Sequence, residues 1–194
     1  MAFNINAFRN QLTRGGARGA LFEVTITPPA ALTLTRGNAN QGEDYVRFMV
    51  KAAQLPESAI ASIAVPYFGR VIKVPGNREP FADWTVTVIN DENFAVRDML
   101  EDWMSRINEH SANLRTAATG LSGHQGTGDI LQYAKSGEVI KNVKMINMWP
   151  SNLGPISLAW DAGEIETYDV TFAYNWWEAR TTDGQNSVVD SLAD

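Results

Sequence analysis

The chain of 194 residues contains no cysteine and only two histidines. The absence of cysteine excludes a disulfide scaffold, a thiol nucleophile, a zinc ribbon and an iron–sulfur site. Uninterrupted apolar runs are only a few residues long, whereas a membrane-spanning helix needs about 20. The composition is otherwise that of a globular protein, with 44% hydrophobic residues, and a chain of this length can bury a core without cross-links.

Basic side chains are outnumbered by acidic ones. Sixteen Lys and Arg face 22 Asp and Glu, which gives a net charge of −6. This balance argues against a protein that grips nucleic acid, because Lys and Arg contacts to phosphates supply much of that affinity. It does not argue against a protein that must let nucleic acid pass.

The two ends of the chain differ from the middle. Residues 1–20 contain three arginines and no acid, a pattern also typical of a mitochondrial transit peptide. We favour an N-terminal arm that packs on the domain or on a neighbour. Residues 180–194 are polar and predict a flexible tail. A single domain over residues 21–179 lies between them.

Alternation of apolar and polar residues predicts β-strands over most of this domain, because successive side chains of a strand point to opposite faces. Proline and glycine separate the alternating segments. The predicted strands lie in Leu21–Thr27, Asp44–Leu55, Tyr67–Val74, Trp84–Val88, Glu138–Met148, Ile156–Trp160 and Ile165–Trp177.

One segment, Asp91–Asn108, has helical periodicity, with apolar residues recurring at three- and four-residue intervals from Val96 to Ile107. Asn90 or Asp91 is placed to cap its start. Long loops are expected over residues 27–42 and 109–129. The fold class predicted is mainly antiparallel β with one helix on a sheet face (α+β).

No residue is predicted to be catalytic, to bind a cofactor or to ligate a metal. His110 and His124 lie in the second loop, 14 residues apart, and we interpret both as solvated side chains. The segment Gly120-Leu-Ser-Gly-His124 lacks the Gly-x-Ser-x-Gly pattern of a nucleophile elbow. The protein is therefore not expected to be an enzyme.

Two clusters of charge and one of aromatic residues remain. Glu164 and Glu166 are expected on one side of a strand or of the turn before it, where solvated carboxylates are far commoner than a glycosidase pair. Three lysines suggest either a small basic patch or charges that protect an exposed strand. The lysines are Lys135, Lys141 and Lys144.

Adjacent Trp176 and Trp177 must face opposite sides of a strand, so one of them points away from the core and suggests an interface.

Several blocks in a fixed order resemble the tail tube proteins of contractile-tailed bacteriophages, the myovirus major tail tube family. The longest is Val74-Pro-Gly-Asn-Arg-Glu-Pro-Phe-Ala-Asp-Trp-Thr-Val-Thr-Val-Ile-Asn-Asp-Glu92. The others are Leu55-Pro56, Leu100-Glu-Asp-Trp103, Met148-Trp-Pro-Ser-Asn-Leu-Gly-Pro155, Leu158-Ala-Trp-Asp161, Glu166-Thr-Tyr-Asp-Val-Thr-Phe-Ala-Tyr174 and Trp177-Glu178. The N-terminal arm, the 27–42 loop and the C-terminal tail look longer than in compact members.

The resemblance implies two antiparallel sheets packed as a sandwich or barrel, with a flanking helix. It also implies a ring of six subunits whose strands join into a continuous barrel, and stacking of these rings into the inner tube of a contractile tail. Such a tube houses the tape measure protein and then passes DNA to the host. Implied partners are further copies of the chain, the sheath, the tape measure, the baseplate tube-initiator and the tail terminator, without cofactors or membrane binding.

The implied location is the virion tail, assembled in the host cytoplasm. Physical reasoning supports the assembly, because ring closure pairs strand edges that would otherwise be free to aggregate. The arm, the 109–129 loop and residues 54–66, with their apolar Ile60, Ile63 and Val65, are the candidates for contacts between rings. A channel for DNA is expected to carry acidic and small polar side chains.

Other functions remain open at this point. The tube of a phage-derived contractile injection system, such as a tailocin, has the same fold and carries no DNA. A tube-initiator or baseplate protein with a tube-like domain usually has an additional domain. A glycan-binding or glycan-acting β-sandwich would use exposed tryptophans with Glu164 and Glu166.

Overall fold

The computed structural model describes residues 5–12, 15–35, 39–78, 82–115, 121–161 and 163–180. The expected C-terminal tail therefore lies outside the described residues, apart from residue 180. The helices are α1 (Ile5–Gln11), α2 (Ala39–Met49) and α3 (Ala95–Ile107), with a 3₁₀ turn at Leu121–His124. The strands are β1 (Phe22–Thr27), β2 (Val50–Ala53), β3 (Ile60–Tyr67), β4 (Arg70–Arg78), β5 (Trp84–Ile89), β6 (Gly126–Tyr133), β7 (Val139–Leu153), β8 (Thr167–Ala173) and β9 (Trp176–Arg180).

Seven of the strands form one antiparallel sheet in the order β1-β6-β7-β8-β5-β2, with β9 also paired to β7. It has two halves, β1-β6-β7-β9 and β7-β8-β5-β2, which share the long strand β7. The remaining strands, β3 and β4, pair only with each other among the described strands. The predicted mainly β, antiparallel fold class is confirmed, although three α-helices are described rather than one.

Strand β7 turns the corner between the two halves. Its first part pairs with β6 and β9, and its last residues pair with β8. Asn147, at the junction, has φ of 54°, and the register with β6 shifts there. An irregularity of this kind bends a strand and lets it pass from one sheet to another.

The single strand predicted over Ile165–Trp177 is wrong because it crosses the same corner. Strand β8 ends at Ala173, and the Asn175 N–H donates to the Ile146 carbonyl at 3.2 Å. Strand β9 then begins on the other half. The alternation itself is confirmed within β8, where Tyr168, Val170 and Phe172 are buried.

The core lies between the inner faces of the sheet and one side of α3. Large side chains of α2, of α3 and of four strands are almost completely removed from solvent, and burial on this scale is the main favourable term in folding. The largest fully buried side chains are Trp103, Phe172, Ile26, Met99, Leu100, Met145, Met148, Val24, Val46, Val86, Val88 and Val96.

Helix α3 confirms the predicted helix and its buried face. The predicted capping position is wrong, because the N-cap residue is Phe94, which makes no side-chain cap hydrogen bond. Asp91, three residues before it, accepts a hydrogen bond from the Ala95 N–H at 3.1 Å on Oδ1 and so satisfies the first backbone donor of the helix. Asp102 is buried, accepts a bond from the Thr35 N–H at 2.7 Å and pairs with Arg106 at 3.3 Å. This carboxylate therefore holds the connection between β1 and α2 against the helix.

The strand predicted over Asp44–Leu55 is mostly helix. Residues up to Met49 belong to α2, whose buried Gly42 and Val46 lie four residues apart, while Phe48 is exposed. A Cβ on Gly42 would lie 2.6 Å from the Met99 Cβ, so only glycine allows α2 to approach α3 this closely. The loop expected over residues 27–42 is correspondingly shorter.

Two further expectations are wrong. The 109–129 loop contains the 3₁₀ turn and the start of β6, whose Gly126 leaves room for the Trp103 ring. Residues Ile156–Trp160 form no strand. Both errors arise because alternation of apolar and polar residues is judged over only a few residues. A glycine interrupts the pattern at the start of β6, and a chance alternation over Ile156–Trp160 has the spacing of a strand.

Candidate assembly surfaces

The β3–β4 hairpin replaces the strand predicted over Tyr67–Val74. Its turn is Phe68-Gly69, where both residues have positive φ, 40° and 76°, as a tight two-residue hairpin turn requires. Phe68 stands at the tip almost fully exposed, in edge-to-face contact with the Tyr67 ring at 4.7 Å. The hairpin therefore presents an aromatic pair at its end.

One face of the hairpin is mostly apolar, with Arg70, the cross-strand partner of Tyr67, as a charged residue at the end near the turn. Cross-strand partners share a face, and the partners Ile63 with Val74 and Val65 with Ile72 continue the row of Tyr67. These five side chains, which we call the hairpin stripe, are 42–61% exposed. The opposite face is more mixed: it includes the pair of Ala64 with Lys73 and that of Pro66 with Val71. The expectation that Ile60, Ile63 and Val65 are difficult to bury within the chain is confirmed.

Two tryptophans fix the base of the hairpin to the sheet. The Trp84 indole N–H donates to the Gln54 carbonyl at 2.8 Å, and that of Trp177 donates to the Glu57 carbonyl at 3.0 Å. Trp177 is half-buried and packs against the core, whereas Trp176 is exposed. The predicted opposite orientation of these two residues is confirmed, and Trp177 helps to hold the segment that leads into the hairpin.

The sheet leaves strand edges open. Among the described strands, β1, β2 and β9 each pair on one side only. On the edge strand β1, Glu23 accepts hydrogen bonds from the Tyr133 hydroxyl at 2.9 Å and from the Arg47 guanidinium at 3.1 Å. Burial, and then Glu23, raise the pKa of Tyr133. These contacts tie α2 and β6 to β1, so its edge is presented on a fixed frame.

Helix α1 shows an exposed apolar face. Ile5, Phe8 and Leu12 recur at helical spacing and are 71%, 65% and 43% exposed. The expectation that the arm packs on the domain is therefore not met by these side chains, and packing on a neighbour remains a prediction.

A groove of about 540 Å³ is formed by the segment that connects β7 to β8 and is lined by residues 155–160 and 164–167; we call it the connection groove. Leu158, Trp160 and Ile165 are largely exposed there. Glu164 and Glu166 both line this groove; the Glu166 carboxylate accepts a hydrogen bond from the Asn90 side chain at 2.8 Å. The structure therefore brings the two carboxylates and an exposed tryptophan together, and gives this segment an acidic and apolar surface.

The histidines do not share an environment. His110 is exposed, but the interpretation of His124 as a solvated loop residue is wrong. The 3₁₀ turn places His124 against α3, where its carbonyl accepts a bond from the Trp103 indole at 2.9 Å. Its buried ring nitrogens have no hydrogen-bond partner among the residues that the structure describes. Within the described ranges, no three His, Asp or Glu side chains are grouped so as to hold a metal ion.

The lysines do not form one patch. Lys135 lies in the exposed turn between β6 and β7, while Lys141 and Lys144 are three residues apart on β7 and so on alternate faces. The role of protecting an exposed strand is wrong for the last two, because β7 is paired on both sides. Lys144 lies in register between Asp129 and Glu178.

None of the helices in the described ranges is long and apolar enough to span a membrane.

A family model described as phage tail tube protein matches residues 17–180 of the chain. The chain belongs to this tail tube protein family. It is 36% identical over 139 residues to the tail tube protein gp19 of Enterobacteria phage T4, covering 71% of this chain and 83% of that protein. It is 28% identical over 166 residues to the tail tube protein of Serratia phage KSP90, covering 84% and 88% of the two chains.

Solved structures agree on the fold. The chain is similar to one in the sheath–tube complex of an extracellular contractile injection system, PVC, with a TM-score of 0.61 at 13% identity and coverage of 89% and 97%. It is also similar to a chain of the tube-terminating cap of the anti-feeding prophage, with a TM-score of 0.58 at 15% identity and coverage of 86% and 91%. The resemblance to the tail tube proteins of contractile-tailed phages found in the sequence blocks is therefore confirmed, and tail tube proteins of this family are structural components of the virion.

Proposed function

We propose that this tail tube protein assembles into rings of six, which stack to form the inner conduit of a contractile tail. The observation that carries the proposal is the hairpin stripe, because five apolar side chains on a pre-ordered hairpin have no partner surface within the described part of the chain. Monomeric proteins rarely expose apolar surface of this kind without a binding role. Its fixed base lowers the entropic cost of docking.

The open edges supply the second contact. In the proposed ring, edges such as those of β1, β2 and β9 pair with neighbouring subunits and close the sandwich or barrel into one continuous wall. A head-to-tail contact that closes by rotation gives a ring, and a separate axial contact is then needed for stacking. We assign the axial contact to the hairpin stripe.

The partners of the assembled tube follow from this arrangement. They are further copies of the chain, the sheath outside, the tape measure protein inside, and the baseplate initiator and tail terminator at the two ends. The neighbouring structures come from sheath–tube, cap and baseplate assemblies, which supports these partner classes. The role is structural rather than enzymatic, and assembly takes place in the host cytoplasm before the tail joins the virion.

We assign the wall of the tube's central channel to the face of β5 and β8 that points away from the core of the subunit. The register places Thr85 beside Thr171 and Thr87 beside Asp169 on that face, and the Thr87 hydroxyl donates to the Asp169 carboxylate at 2.7 Å. Small hydroxyls and a carboxylate offer DNA no cation to hold it.

Assembled tubes test this assignment of the channel wall. Thr87→Lys adds one positive charge per subunit, so variant tubes are expected to retain short duplex DNA that wild-type tubes release, with retention lost at higher salt. Ser136→Lys, in the exposed turn after β6, is the matched control. Equal retention by both variants would place the channel wall elsewhere.

Electron microscopy and sedimentation of the full chain test the main proposal. The wild type is expected to form hollow rings or tubes of uniform width. Ile72→Lys, on the hairpin stripe, is expected to abolish stacking, because it places a charge in an apolar contact. Val71→Lys, at the next residue and on the opposite face, is expected to assemble. A wild type that stays monomeric even with the baseplate initiator, or equal effects of the two variants, would overturn the proposal.

A second candidate is the tube of a contractile injection system that carries no DNA. The fold similarity to the PVC and anti-feeding prophage chains favours it. Capsid and terminase genes beside the coding sequence, and DNA in purified particles, are expected for a phage. Particles with tail genes alone and without DNA would support the injection system.

A further inference from the structure

We propose that the N-terminal arm of one subunit docks into the connection groove of a second copy, formed by the segment that connects β7 to β8. The inference rests on the proposed self-assembly and identifies a contact within it. Both surfaces belong to this chain, and both expose apolar side chains in the single copy: Ile5 and Phe8 on α1, and Leu158 and Trp160 at the groove.

The N-terminal arm and the groove segment carry opposite charges. The arm, residues 1–20, has three arginines and no acid, and Arg9 lies on α1 among the exposed apolar residues. The groove segment, residues 155–167, has Asp161, Glu164 and Glu166 and no base. Opposite charges on two apolar surfaces favour this pairing over pairing of like surfaces, because juxtaposed like charges are repelled.

The groove supplies an anchor of the type that dominates interfaces. Trp160 is fully exposed in the single copy, and tryptophan and arginine are the residues most enriched among those that carry binding energy. A seven-residue helix is too short to be stable alone, so docking would also stabilise α1. The occupant of the groove is therefore the amphipathic, basic segment around α1 of a neighbouring copy.

The absence of cysteine makes a direct test available. Two full-length single-cysteine variants, Phe8→Cys and Leu158→Cys, are mixed under assembly conditions and oxidised. A cross-linked dimer containing one chain of each variant is expected. Phe8→Cys mixed with Ser136→Cys, at an exposed turn away from the groove, is the control and is expected to give little dimer. Trp160→Ala in the Leu158→Cys chain is expected to lower the dimer yield about fivefold or more.

Each outcome has one meaning. No dimer above the control overturns the docking, and tubes seen by microscopy in that same sample would leave the proposed function standing. Dimer without tubes supports the docking and counts against the tube. A chain carrying both cysteines that forms only an internal disulfide would place its own arm in its own groove, which also overturns the proposal.

Discussion

Strands β5 and β8 and the β3–β4 hairpin are both antiparallel pairs rich in β-branched residues, yet they differ in exposure. Val86, Val88 and Val170 on the inner face of β5 and β8 are at most 1% exposed, whereas Val65 and Ile72 of the hairpin are close to half exposed. The inner face of the first pair lies in the core, together with side chains of α2, of α3 and of the other strands of the sheet. β-Branched residues on the inner face of β5 and β8 therefore hold the subunit together, whereas those on the hairpin remain available to hold subunits to each other.

Truncation of a fully buried core side chain is expected to reduce stability more than any other substitution considered for this subunit. Trp103→Ala removes a fully buried side chain from between α3 and β6 and leaves the His124 carbonyl without its indole donor. We expect a loss of about 3–5 kcal/mol in the free energy of unfolding, which corresponds to a fall of about 10 °C in Tm for a domain of this size. Denaturant unfolding of dilute, unassembled protein measures it.

The matched control is another tryptophan. Trp160→Ala changes a fully exposed side chain and is expected to alter the free energy of unfolding by no more than about 0.5 kcal/mol. A similar loss in both variants would show that exposure in the single subunit does not separate folding residues from assembly residues.

A smaller effect concerns a buried hydroxyl in the core. The Tyr168 hydroxyl has no hydrogen-bond partner within the described part of the chain. Burial raises the pKa of Tyr168 well above its ordinary value, opposed by the Arg97 guanidinium 5.2 Å from the ring centre. Tyr168→Phe is therefore expected to raise the free energy of unfolding at pH 7 by about 1 kcal/mol, since it loses no bond and removes a buried hydroxyl whose desolvation nothing offsets.

At alkaline pH the free energy of unfolding of Tyr168→Phe is expected to differ increasingly from that of the wild type. Because the folded-state pKa lies above the unfolded value of about 10, the unfolded chain releases its proton first, and stability is lost as pH rises past that value. The wild type should lose up to about 1.4 kcal/mol more per pH unit than Tyr168→Phe. Unfolding between pH 8 and 11.5 measures the difference, and parallel curves would contradict the assignment.

The sequence predicted the covered region better than the projecting one. Helix α3 and strands β1, β5 and β8 were predicted because their buried faces carry a clear period, as in Val96, Met99, Leu100 and Trp103 of α3. Helix α2 was missed because its contact depends on Gly42, a residue that alone favours neither helix nor burial. Strand β6 was hidden by Gly126 and Gly128, which are small because Trp103 and Met145 occupy the space beside them.

The candidate surfaces were predicted in part. Residues 54–66 and the N-terminal arm were identified as contact candidates from apolar residues that had no obvious place in the core, and their exposure agrees. The hairpin stripe as a whole could not be predicted, because it depends on the turn at Phe68-Gly69 and on the register that aligns Val65 with Ile72. The groove requires the three-dimensional path of the segment between β7 and β8, which has no periodic pattern.

Substitutions on the hairpin stripe are expected to change folding little and assembly strongly, because these side chains are exposed in the single subunit. Thermal unfolding of dilute Ile72→Lys and Val71→Lys, with sedimentation of the same samples at assembly concentration, measures both effects. We predict that both keep the wild-type Tm within about 2 °C, and that only Ile72→Lys loses the fast-sedimenting tubes. An Ile72→Lys protein that unfolds much earlier, or that still forms wild-type tubes, would contradict the account.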